Sequence, residues 1–216
     1  MDNKAITVSL AVLAVVTVAA CGGGDAPTAG SSTPAAAPAG AIDPASITDP
    51  GTISGTVNFG GATPEGQLLQ MAADPYCITS HAGAEVMAQR VVVNDNGTLR
   101  YVFVYVKEGL DQTFIASGSP IELSQEGCIY VPHVLGVQAN QAITIVNNDD
   151  TLHNINGQPS GSGNNPFNFA QPIKGMTTEI TFPSAEMIPV KCDVHPWMKA
   201  YIGVTNHPYF AVSSED

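Results

Sequence analysis

The apolar residues of this chain come in short runs of period two, separated by Gly, Pro, Asn and Asp, and no long stripe of helical period competes with them. A chain patterned this way buries its apolar side chains on one face of a strand, and several such strands need a second sheet to pack against. In residues 52–59, Ile53, Val57 and Phe59 fall on one side and small or polar residues on the other, which predicts a half-buried strand. Residues 91–93 and 99–106 predict two strands joined by Asn94-Asp95-Asn96-Gly97, a turn sequence that tolerates positive φ. The second of them is apolar on both faces and belongs in an interior. Further strands are expected at 129–137, 142–146, 177–182, 188–190 and 201–204, with short helices at 64–71 and 82–89. The expected fold class is all-β, a Greek-key sandwich with additional N-terminal strands.

The first fifty residues do not fit that pattern. After Lys4, residues 5–20 are apolar or small without a charge, too short and too poor in large side chains for a comfortable membrane span, and they read as an export signal. Val18-Ala19-Ala20-Cys21 resembles the lipobox of bacterial lipoproteins, which implies cleavage before Cys21, acylation of that cysteine and a membrane anchor in the bacterial cell envelope, periplasmic or at the cell surface. After Cys21, residues 22–50 are almost wholly Gly, Ala, Ser, Thr and Pro with a few acids, a composition that cannot bury enough apolar surface to order itself, and residues 21–50 are expected to be a flexible tether. The folded domain is expected over residues 51–212.

Charge narrows the partners. Seven Lys and Arg against 19 Asp and Glu leave a net charge of -12, which argues against nucleic acid and suits a partner with a basic face, such as a c-type cytochrome.

The chemistry is concentrated near the C-terminus. Cys192-Asp193-Val194-His195-Pro196-Trp197-Met198 places a thiolate, an imidazole and a thioether in one loop between two predicted strands. Soft sulfur ligands favour Cu(I), imidazole suits both copper oxidation states, and a weak axial sulfur permits a trigonal site. A second imidazole is available from His153, which follows the strand at 142–146 and the turn-like acidic run Asn147-Asn148-Asp149-Asp150. Zinc rarely accepts a thioether, and no Cys-x-x-Cys-His for haem occurs.

These two segments, 142–154 and 190–204, resemble the cupredoxins, the small blue (type 1) copper proteins, and the loop is similar to that of the amicyanin- and plastocyanin-like branch. The resemblance covers about the last 70 residues. It implies one copper ion held by His153, Cys192, His195 and Met198 and a role as single-electron carrier, not an enzyme. It also implies that His195 is the exposed ligand, with Trp197 in a docking patch, and that the amide of Asn154 hydrogen-bonds the Cys192 sulfur. Val194 stands where similar loops carry proline, so its amide is expected to add a second such bond and raise the reduction potential. Pro196 is expected to hold His195 in an extended backbone. The start Gly51-Thr52-Ile53-Ser54 is similar to added strands of larger bacterial cupredoxin-like lipoproteins.

With Cys21 acylated and Cys192 on the metal, Cys77 and Cys128 remain as an expected disulfide in an oxidising compartment. That bond would bring His81 and His133 into one neighbourhood, where a second metal site is conceivable but a structural role is preferred; His207 is read as structural. The alternatives to electron transfer are a copper carrier or storage protein, and a structural or adhesion module.

Overall fold

The computed structural model describes residues 38–161 and 163–215; the expected signal segment, Cys21 and the tether up to residue 37 lie outside them. Among the described residues, eleven strands form three sheets. In chain order they are β1 (Phe103–Tyr105), β2 (Ile121–Glu126), β3 (Ile129–Val131), β4 (Val134–Gln138), β5 (Ile143–Asn147), β6 (His153–Gly157), β7 (Phe167–Gln171), β8 (Thr177–Ile180), β9 (Glu186–Lys191), β10 (Lys199–Thr205) and β11 (Phe210–Val212). One sheet has the order β3-β2-β5-β8 and another the order β4-β10-β9-β6-β7, while β1 and β11 make a separate ribbon. Pairing is antiparallel except for β2 with β5 and β4 with β10, which are parallel. This is an all-β sandwich.

The core follows from the period-two pattern. Ile143, Ile145 and Asn147 alternate inward along β5, and Ile188 and Val190 do so along β9. They meet Leu123, Ile155, Ile202 and Val204, all buried, and each such side chain contributes ~1.5–3 kcal/mol by leaving water. The ribbon is seated by two glycines: Gly136 and Gly203 face each other across β4 and β10, and a Cβ on either would lie within 3 Å of the Phe210 or Phe103 ring that covers them.

Four expectations need correction. The run 129–137 is two strands in different sheets, because Pro132 lacks the amide that a continuous ladder needs and the chain changes sheets there. Residues 52–59 do not form a strand. Only Asn58 bridges, to Thr98, and Ile53 is 93% exposed, while Val57 and Phe59 are half-buried. The turn at 94–97 forms, with the Gly97 N–H donating to the Asn94 carbonyl at 2.9 Å, but its flanks pair only through Val93 and Leu99 before β1 begins. Residues 64–71 and 82–89 are not helical; they pair with each other through Leu68 and Met87, with the Leu69 N–H donating to Val86 and the Ala88 N–H to Gln67. Each is too short to repay helix nucleation and each contains a glycine.

Between those paired segments lies α1 (Pro75–Thr79), capped by Asp74 with proline in its first turn. Residues 67–88 are therefore an arm with a helix at its tip. The stretch expected as a tether is also partly bound to the domain: Ile42 bridges Phe114 in parallel, and a short 3-10 turn (Pro44–Ser46) follows. Among the described residues no helix is long and apolar enough to cross a membrane.

Candidate metal centre

His153 opens β6, and Cys192 directly follows β9, the antiparallel neighbour of β6 in the same sheet. Two facing strand ends therefore deliver an imidazole and a thiol to one edge of the sandwich. The loop from Cys192 returns on itself before β10: the Cys192 N–H donates to the Met198 carbonyl at 3.2 Å and the Met198 N–H to the His195 carbonyl at 2.9 Å. That closure turns His195 inward. Asp193 fixes the outer side of the loop, its N–H donating to Asn154 Oδ1 at 2.6 Å and its carboxylate accepting from Asn156 at 2.8 Å and Asn168 at 3.0 Å.

The donor atoms of His153, Cys192 and His195 all lie within 4.8 Å of one another, and all three side chains are buried. The two Nδ1 atoms are 3.0 Å apart, and Cys192 Sγ is 4.0 Å from that of His195. Met198 is fully buried at the foot of the same loop. Among the described residues Cys192 is the one free cysteine. Two other clusters, Cys77 with Cys128 and His195, and Cys128 with Asp149 and His153, contain the sulfurs of a disulfide, which are poor ligands.

Both outer ring nitrogens are held by carboxylates. His153 Nε2 is 2.8 Å from Asp149 Oδ2, and His195 Nε2 is 3.0 Å from Asp74 Oδ2. A carboxylate only accepts, so each Nε2 carries the proton and each Nδ1 turns its lone pair inward. Two lone pairs 3.0 Å apart repel unless a cation sits with them. Two imidazole nitrogens each ~2.0 Å from one ion at a near-tetrahedral angle stand roughly 3.3 Å apart, close to the observed separation. The residues fit a metal ion.

Burial raises the pKa of the Cys192 thiol, but hydrogen bonds from His153 and His195 and from the amides of Asn154 and His195 outweigh it and bring it down to about 6. The His195 N–H lies 3.3 Å from the sulfur. The second amide on the sulfur is thus that of His195, one residue beyond the Val194 amide that the sequence suggested, and Val194 is exposed. Burial lowers the pKa of His153, yet the bond to Asp149 and the neighbouring Cys192 raise it overall.

Asp149 was not legible as a functional residue. It is buried, and it accepts from the Gly127 and Cys128 amides at 2.8 Å each and from the Tyr76 hydroxyl at 3.1 Å, besides His153. Burial raises its pKa, but those bonds and His153 prevail and lower it. Its position four residues before His153 in an acidic turn was the available signal.

His195 is 2% exposed, which corrects the expectation of an exposed ligand. The arm covers its outer edge with Asp74, and Trp197 lies against its ring at 5.1 Å between centroids, donating from Nε1 to the Cys128 carbonyl at 3.0 Å. Cys77 and Cys128 are joined at 2.02 Å, tying α1 to the turn between β2 and β3. His81 and His133 bond the Gly127 and Lys199 carbonyls respectively, and neither belongs to a metal-type cluster among the described residues. His207 bonds the Val106 carbonyl at 2.8 Å.

The Cys–His loop of this mixed sandwich thus meets a histidine from the adjoining strand. Solved structures similar to the chain include amicyanin from Paracoccus versutus, at 21% identity and a TM-score of 0.37 over 41% of this chain and 84% of that one. An amicyanin variant in its Cu(I) form gives 20% and 0.35 over 42% and 86%. A copper-containing nitrite reductase from Thermus scotoductus SA-01 gives 22% and 0.39 over 48% of this chain, which spans only 26% of that enzyme. No protein-family model matches the sequence, and no curated protein matches it.

Proposed function

We propose that this domain holds one copper ion through His153, Cys192, His195 and Met198 and serves as a single-electron carrier. The observation that carries the reading is the pair of inward Nδ1 atoms, 3.0 Å apart beside a buried low-pKa thiol, with both outer nitrogens engaged by carboxylates. Thiolate and imidazole together with a thioether form a donor set that suits copper in both oxidation states better than zinc. The ion, when bound, supplies the one-electron couple.

The protein's own residues do the rest. Asp149 and Asp74 hold the two rings, and the Asn154 and His195 amides stabilise negative charge on the sulfur. A ligand set held this firmly leaves little to rearrange when charge changes, and such outer partners tune the potential. Burial of the three donor side chains favours outer-sphere electron exchange over chemistry on a bound substrate, so a carrier is proposed and not an enzyme. It also favours slow metal exchange, which weighs against copper delivery or storage. Anchoring through an acylated Cys21 to a membrane of the bacterial cell envelope belongs to the same proposal, as does a redox protein, such as a c-type cytochrome, as partner.

The test is the visible spectrum of the full chain after addition of Cu(II), beside Cys192→Ala. An intense thiolate-to-copper band, bleached by reduction and absent from the variant, is expected. A folded, oxidised protein without that band contradicts the proposal.

A further inference from the structure

Four consecutive residues of the arm, none of them part of the metal-binding loop or of β6, reach the centre in three places. Asp74 bonds His195, Tyr76 donates to Asp149, and Cys77 is joined to Cys128. Asp74 itself is fully employed. Its Oδ1 accepts from the Tyr76 N–H at 2.8 Å and caps α1; its Oδ2 accepts from the Thr151 hydroxyl at 2.8 Å and faces His195 Nε2 at 3.0 Å. The carboxylate therefore cannot swing away from the ring without uncapping a helix and losing Thr151. A disulfide three residues further on removes the other freedom, that of the helix to drift from the sandwich.

We propose that Asp74 is a positioning residue for the metal centre: delivered by the disulfide-pinned arm, it fixes the His195 ring with Nε2 protonated and Nδ1 facing Cys192 and His153, and closes the ring's outer edge to solvent. The inference rests on the two-imidazole site proposed above. It gives the region ahead of the sandwich a task, that of a built-in cover over the His195 edge. Metal entry and small exogenous ligands must then displace the Asp74 contact to reach that ring.

The test uses the metal-free full chain, so that its failure and that of the copper reading are told apart. Carbethoxylation by diethyl pyrocarbonate, followed peptide by peptide by mass spectrometry, reads access to each histidine. Asp74→Ser keeps a helix-capping oxygen but is too short to reach the ring, whereas Asp74→Asn keeps the capping oxygen and the bulk over the ring edge, with an amide NH2 in place of the second carboxylate oxygen. His195 is expected to be unreactive in the wild type and in Asp74→Asn and to gain at least tenfold in rate in Asp74→Ser, with His153 silent in all three. His195 as slow in Asp74→Ser as in the wild type overturns the proposal. Should Asp74→Ser fail to fold, seen as reaction of His153 as well, the nitrogen-15 spectrum of wild-type His195 decides. A protonated Nε2 is expected there, and a ring protonated only at Nδ1 overturns the assignment.

Discussion

At the scale of single residues, the centre depends on carboxylates that are not themselves ligands. Asp149 joins four donors in one buried place: two amides of the β2–β3 turn, a phenol of the arm and a ring of the metal site. Asp149→Ala strands those donors without water, and each buried orphan costs about 1–3 kcal/mol. Denaturant unfolding of the metal-free variant should show a loss of ~2–5 kcal/mol, and metal affinity should fall by roughly 10- to 100-fold. Unchanged stability would mean that the turn is held by something else. The proposed ligands were legible in the sequence, Cys192, His195 and Met198 by their types and spacing within one loop and His153 by its place after a strand and an acidic turn. Asp74 was not, since 121 residues separate it from His195 and only the folded arm brings the two together.

At the scale of elements, packing was legible where a run was long enough to bury one face, as in β5, β9 and β10, and illegible where pairing depends on distant partners. The arm is the clearest case. Its two segments look weakly helical in isolation, yet they pair with each other across the chain reversal that holds α1, and the 77–128 disulfide pins that reversal to the sandwich. Replacing both Cys77 and Cys128 by serine should cost roughly 2–4 kcal/mol in thermal or denaturant unfolding, and more of His195 should become reactive. A second element test concerns the glycine pair under the β1–β11 ribbon. Gly203→Val places a branched side chain where the Phe103 ring lies, within 3 Å of a Cβ, and should destabilise by ~1–3 kcal/mol. Phe103→Ala in the same chain should restore part of that loss; no interaction between the two changes in a double-mutant cycle would separate the ribbon from the glycines.

At the scale of the whole molecule, the acidic balance becomes a pH dependence. Glu186, at the start of β9, is held down to about 2 by the Asn164 side chain and by the Gly161 amide at 2.6 Å, with Ser160 adding further bonds. A carboxylate whose folded pKa lies below its unfolded value of 4.5 stabilises the fold fully above that value, and the contribution fades as pH falls toward 2. Unfolding free energy should therefore decline with pH across that window, and Glu186→Gln should flatten the decline; equal slopes in both proteins would contradict the assignment. On the proposed reading, the sandwich, the sulfur loop and the first histidine together keep a metal ion out of water while electrons pass. A potentiometric redox titration of the copper-loaded full chain, with metal content measured before and after, tests that most directly. One reversible one-electron wave, accounting for one copper per chain that is retained through repeated cycles, is the predicted result; absence of a reversible wave, or copper lost on each reduction, would contradict the account.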